Sequence, residues 1–187
     1  QYTFAASAFD VCRAAALLAQ RPEVRGGQVG VQGHSRGGSA VLQAAVTRFR
    51  EAAGGPALAG VYAVYPWCGH QFLNPEIGIT AVRGIIGDAD EWCSAQQMQG
   101  YLNAMRLTGG AVSWRVVPGA HHSFDREDPV TLEPEAAVAP AAPTAYLTDE
   151  GVFLEPSGRA PDPSFSERDL MVAAMKAGYG RKGAHLG

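Results

Sequence analysis

Apolar and polar positions along the chain alternate between two kinds of segment. Residues 5–20, AASAFDVCRAAALLAQ, are rich in alanine and leucine with no breaker, which predicts a helix. Arg21-Pro22 ends it, because the residue before a proline is pushed out of the helical region. Residues 28–32, QVGVQ, form a short strand. A long helix over 36–50 follows directly after the turn GHSRGG, and Gly54-Gly55-Pro56 closes that unit. Residues 58–65, LAGVYAVY, are apolar almost throughout, as strands of a parallel sheet are. Residues 81–87, AVRGIIG, give a third strand ending in acidic residues. A helix over 94–107 has Ser94 as its cap. Residues 111–117, AVSWRVV, give a fourth strand, cut off by Pro118-Gly119.

Strands alternating with helices predict an α/β protein, a parallel sheet with helices on both faces. The character changes after Asp125. Residues 133–143 are an Ala/Pro/Glu stretch without useful period, expected as an extended surface segment. Residues 151–163 are rich in turn formers. A final helix is expected over 166–177, with Ser166 as cap, Asp169 three residues on and Gly178 as stop. The tail GYGRKGAHLG carries no regular signal, and there is no internal repeat. The expected division is residues 1–130 as core and 131–187 as an arm with a C-terminal helix of the same domain.

Composition narrows the function classes. The chain has 187 residues, is 47% hydrophobic and 18% charged, and has a formal net charge of -3. That balance suits one globular domain and suggests neither nucleic acid nor an anionic membrane as partner. No apolar run approaches the roughly 20 residues of a membrane helix. Three cysteines, Cys12, Cys68 and Cys93, do not make a disulfide framework. Cys12 lies on an apolar helix and reads as a buried thiol, while a Cys68–Cys93 pairing stays open. No cysteine or histidine spacing fits zinc, so no metal is expected, and no cofactor is implied. Compartment is not distinguished.

The chemistry lies at the strand ends. Gly33-His34-Ser35-Arg36-Gly37 fits G-x-S-x-G, with a strand before it and a helix after it. That context defines a nucleophile elbow, in which a strained turn lifts Ser35 above the sheet. The N–H of Arg36, at the helix start, can then donate to an oxyanion. A serine needs a base, and a histidine base needs a carboxylate. In this fold the chain order is Ser, acid, His, with acid and base on loops after later strands. Asp88 and Asp90 both qualify as acid, and His121 and His122 as base. His34, His70 and His185 have no carboxylate at a comparable position and read as structural or exposed.

GHSRGG, GDADEW and PGAHHSFD, in that order after strands, resemble the dienelactone hydrolases of the α/β-hydrolase superfamily over about residues 29–125. The resemblance implies that Asp90, three residues after the strand-end glycine, is the acid, and that His122, directly before Ser-Phe, is the base. Type members use a cysteine nucleophile where this chain has Ser35, which favours a broader ester hydrolase. They also place an arginine four residues after the histidine, at Arg126 here, either a fork for a substrate carboxylate or a surface salt bridge. Trp67 and Trp92, after strands at the active face, suggest an apolar acyl or alcohol pocket or simple core packing.

The expected function is hydrolysis of a small carboxylic ester or lactone through an acyl-enzyme. The alternatives are a prolyl-oligopeptidase-type peptidase and a non-catalytic binding protein on a hydrolase fold. The fold usually draws its second oxyanion donor from a loop early in the domain, and nothing before Ser35 fits it. The chain therefore reads as the C-terminal part of the domain, with the N-terminal half expected as a separate or missing segment. Self-association into a homo-oligomer stays open.

Overall fold

A computed structural model describes residues 3–25, 27–154, 157, 159 and 167–187. The first helix, α1 (Phe4–Ala19), buries Phe4, Ala8, Cys12 and Ala15, spaced so that they fall on one face. Thr3 caps it, its side chain accepting from the Ala6 N–H. After β1 (Gly30–His34) comes α2 (Arg36–Ala45), buried at every residue from Gly38 to Ala45. The single helix expected over 36–50 is two. Val46 has extended backbone (ψ 118°), and α3 (Thr47–Ala52) restarts beyond it, with the Thr47 N–H donating to the Glu76 carbonyl. Neither proline nor glycine marks this break.

Next come β2 (Gly60–Val64), β3 (His70–Phe72), β4 (Ala81–Gly87), α4 (Ala95–Leu107) and β5 (Val112–Val117). Ser94 does cap α4, accepting from the Gln97 N–H. Strands β1-β2-β4-β5 form a parallel sheet in that order. Gly33, Ala63, Gly84 and Trp114 share one row and one face. A Cβ on Gly33 would lie 2.1 Å from the Gly37 carbonyl oxygen of α2, and one on Gly84 would lie 2.4 Å from Leu102 of α4. Both helices thus pack on that face, close enough to demand glycine beneath them. The next row on the opposite side, Gln32, Tyr62, Arg83 and Ser113, is exposed throughout. The main core lies between sheet and helices and includes Leu42, Val61, Ile86, Met98, Tyr101 and Leu102.

The segment beyond Asp125 is more regular than expected. The stretch expected to be extended contains β6 (Thr131–Val138), which pairs antiparallel with the last strand of the chain. Pro134 lies where that pairing changes register, between Glu133 and Ala137, a position that tolerates a missing N–H. Strand β7 (Ala145–Leu147) adds parallel to β3 and is joined by β8 (Phe153–Leu154). Helix α5 (Glu167–Ala174) runs into a π-helical turn, Met175–Tyr179, in which Gly178 takes φ 86°. The expected cap Ser166 lies outside the described residues. The tail without a signal is β9 (Arg181–Leu186), partner of β6. None of the helices among the described residues is long and apolar enough to cross a membrane.

Candidate active site

Ser35 lies between β1 and α2 with φ 52° and ψ -116°, a conformation few non-glycine residues adopt. Holding it costs about 1–3 kcal/mol, which the surrounding packing must supply. The Ser35 N–H donates to the Val64 carbonyl, fixing the turn to β2. Its Oγ stands 2.9 Å from His122 Nε2, and His122 Nδ1 stands 2.8 Å from Asp90 Oδ2. The other Asp90 oxygen accepts the N–H groups of Trp92 and Cys93, each at 2.8 Å, so the carboxylate cannot rotate. The side chains of Asp90 and His122 are 0% and 4% exposed. A buried serine–imidazole–carboxylate chain of this geometry can take a proton from Oγ and pass it on.

Asp88 and His121, the other two candidates, make different contacts. Asp88 Oδ1 accepts the Gly119 N–H at 2.6 Å, tying the loop after β4 to the turn after β5. His121 turns towards His185, their ring centroids 5.4 Å apart. Tyr65 and Ser123, also at positive φ (36° and 63°), flank the site. The Tyr65 ring meets the His122 edge at 4.7 Å, and its hydroxyl donates to Asp125 at 2.7 Å. Burial, then the Asp125 acceptor, pushes the Tyr65 hydroxyl well above its ordinary range.

A cavity of about 480 Å³ opens above Ser35, within the range of small-molecule sites. Trp67, Trp92, Cys93 and Arg36 line its floor. Val138 of β6, Leu170 and Met171 of α5, and Met175 and Tyr179 of the π turn line its roof. The segment beyond Asp125 therefore builds half of the pocket, which no sequence signal indicated. Trp92 stacks on His122 (5.6 Å, 21° between planes), and Trp67 stacks on Phe4. The Arg36 guanidinium lies over the Phe4 ring. Arg126 is not at the cavity: it is exposed and pairs with Asp128.

Cys12, Cys68 and Cys93 are buried free thiols, so Cys68 and Cys93 are not bridged. Burial raises the Cys93 thiol well above its usual value, and the Asp90 and Cys68 charges add to this. Burial alone raises Cys68. Both shifts disfavour the thiolate, the reactive form of a cysteine.

His34 is exposed and His70 and His185 are structural, within the expected reading, but each has a carboxylate partner that the sequence did not show. His34 meets Asp125 at 3.2 Å. His70 meets Glu167 at 3.1 Å, and the second Glu167 oxygen accepts the Phe4 N–H, joining α5 to α1. His185 meets Glu91 at 2.7 Å through both its ring and its backbone N–H, and Arg181 holds the other Glu91 oxygen. Those three donors, the His185 backbone first, bring Glu91 down to about 2. All three partners lie far from their histidines in sequence, so spacing could not reveal them.

The profile of the dienelactone hydrolase family matches residues 5–147. Among curated proteins, none matches this sequence. Among solved structures, SOBER1 of Arabidopsis thaliana is 19% identical with a TM-score of 0.51, over 66% of this chain and 59% of that one. Esterase 2 of Thermogutta terrifontis, solved phosphorylated by paraoxon, is 16% identical with a TM-score of 0.50, over 64% and 53%. A dienelactone hydrolase-like promiscuous phosphotriesterase, P91, from metagenomic libraries is 20% identical with a TM-score of 0.49, over 60% and 45%. The chain thus spans about half to three-fifths of the length of these proteins.

Proposed function

The chain belongs to the dienelactone hydrolase family of the α/β-hydrolase fold, and from that premise we propose that it hydrolyses a small carboxylic ester or lactone through an acyl-enzyme on Ser35. The observation that carries this reading is the hydrogen-bonded series Ser35 Oγ, His122, Asp90, at 2.9 and 2.8 Å. His122 Nε2 takes the hydroxyl proton as Oγ attacks the carbonyl carbon. Asp90 accepts the Nδ1 proton's hydrogen bond, fixes the tautomer and stabilises the imidazolium. The imidazolium then protonates the leaving alkoxide. Water, deprotonated by the same nitrogen, releases the acid and restores Ser35.

The Arg36 N–H, first in α2, is the oxyanion donor in this scheme, where the helix dipole adds to it. The apolar cavity walls around Trp67, Trp92, Leu170 and Met171 suit the hydrocarbon part of an acyl or alcohol group. Lifted onto a strained turn and facing a buried base, Ser35 is placed for attack rather than for packing.

A fluorophosphonate probe should label Ser35, and the protein should turn over p-nitrophenyl acetate. Ser35→Ala should lose labelling and at least about 10⁴-fold in kcat while keeping its circular dichroism spectrum. Labelling or turnover that survives this substitution removes Ser35 from the mechanism.

A further inference from the structure

A second cluster lies directly behind the triad. Glu91 follows Asp90, His121 precedes His122, and His185 sits near the end of β9. One carboxylate oxygen and one ring nitrogen from each histidine lie within 4.8 Å of one another. We propose that Glu91, His121 and His185 bind a divalent transition-metal ion, zinc above all, which clasps β9 to the loops carrying Asp90 and His122.

Two imidazoles and one carboxylate are a donor set that zinc accepts, with a fourth place left for water. An ion with bonds of about 2.0–2.2 Å would replace the hydrogen bond between His185 Nδ1 and Glu91 Oε2 and draw the three groups together around it. Glu91 is supported as a ligand should be: Arg181 holds Oε1, which aims Oε2 at His185. His121 Nδ1 is buried and makes no hydrogen bond, a cost that an imidazole otherwise avoids. Asp90, Cys93 and His122 also lie within such a distance. There, however, both nitrogens of His122 already face Ser35 and Asp90, so an ion would have to dismantle the triad.

The site's three segments explain what binding would do. The Gly187 N–H donates to the His122 carbonyl, and Trp92 Nε1 donates to the His185 carbonyl, so the end of the chain already rests on the catalytic loops. An ion that binds only the docked strand stabilises docking by mass action.

The test uses the full chain, stripped with a chelator and titrated with Co²⁺ and Zn²⁺. One equivalent of Co²⁺ should give the visible absorption of a four- or five-coordinate site, and Zn²⁺ should displace it and raise Tm. His121→Gln and His185→Gln should each weaken binding by at least about tenfold, the order that even supporting residues of metal sites show. His121→Gln gives up no Nδ1 hydrogen bond, so it tests the site without undoing the fold. His122→Asn should bind as the parent does. Absence of binding, binding indifferent to both variants, or binding lost only in His122→Asn would each overturn the proposal. None of these readouts depends on the ester-hydrolase reading.

Discussion

Two histidine–carboxylate pairs share the loop after β4, where Asp90 meets His122 from the loop after β5 and its neighbour Glu91 meets His185 of β9, and the two differ in their surroundings. In Asp90–His122 the side chains are 0% and 4% exposed, and the free imidazole nitrogen faces a strained serine. In Glu91–His185 they are 26% and 41% exposed, and the pair joins the chain's last strand to the loop after β4. The chemical groups are the same and the separations nearly so, at 2.8 and 2.7 Å. What differs is water. A pair excluded from solvent holds one orientation and feels little screening, which is what proton transfer needs. A pair nearer the surface is more screened, and this one ties β9 to the loop after β4.

Removing one charge from each pair gives the sharpest contrast. Asp90→Asn should cost about 10³- to 10⁴-fold in kcat/KM, since an amide does not hold the tautomer that Ser35 requires. Asp88→Asn is the matched control: its carboxylate accepts the Gly119 N–H, and an amide oxygen can accept the same bond. Its ester turnover should stay within about threefold. Equal losses in both variants, read with a p-nitrophenyl ester, would mean that the assignment of Asp90 is wrong.

The surface pair should answer in stability instead. In metal-free buffer, Glu91→Gln weakens charge-assisted bonds from His185 and Arg181 and should cost about 1–2 kcal/mol. Urea unfolding measures the total, and hydrogen exchange at the Gly187 amide locates it. The loss should shrink in high salt. A fall in kcat/KM beyond about tenfold would show that the two pairs do not act separately.

The sequence made one pair legible and hid the other for a physical reason. Ser35, Asp90 and His122 each follow a strand, beside glycines or turn residues whose spacing is set by local backbone geometry. Order and spacing left Asp88 beside Asp90 and His121 beside His122, and only the family resemblance pointed to Asp90 and His122. The clasp depends on β9, RKGAHL, which has no alternation and takes φ 80° at Gly183. Its partner β6 contains Pro134, which argues locally against a regular strand. Strands β3, β7 and β8, of three, three and two residues, are too short to show a period. Long-range pairing decides these elements, and with them the roof of the cavity.

Trp92 is where the two pairs meet, and it offers the finest test of their separation. Its ring stacks on His122, while its indole N–H donates to the His185 carbonyl at 2.9 Å. Trp92→Phe keeps an aromatic face beside the imidazole and deletes the only donor directed at β9 from that side chain. Unfolding free energy should fall by about 0.5–1.5 kcal/mol, the net worth of one hydrogen bond. Hydrogen exchange should quicken in β9 and stay unchanged in β4. Because the stack supports orientation without any hydrogen bond to His122, ester kcat/KM should change by less than about threefold. A larger loss of activity at constant stability would mean that the indole N–H, through β9 and the Gly187 bond to the His122 carbonyl, helps to position the base.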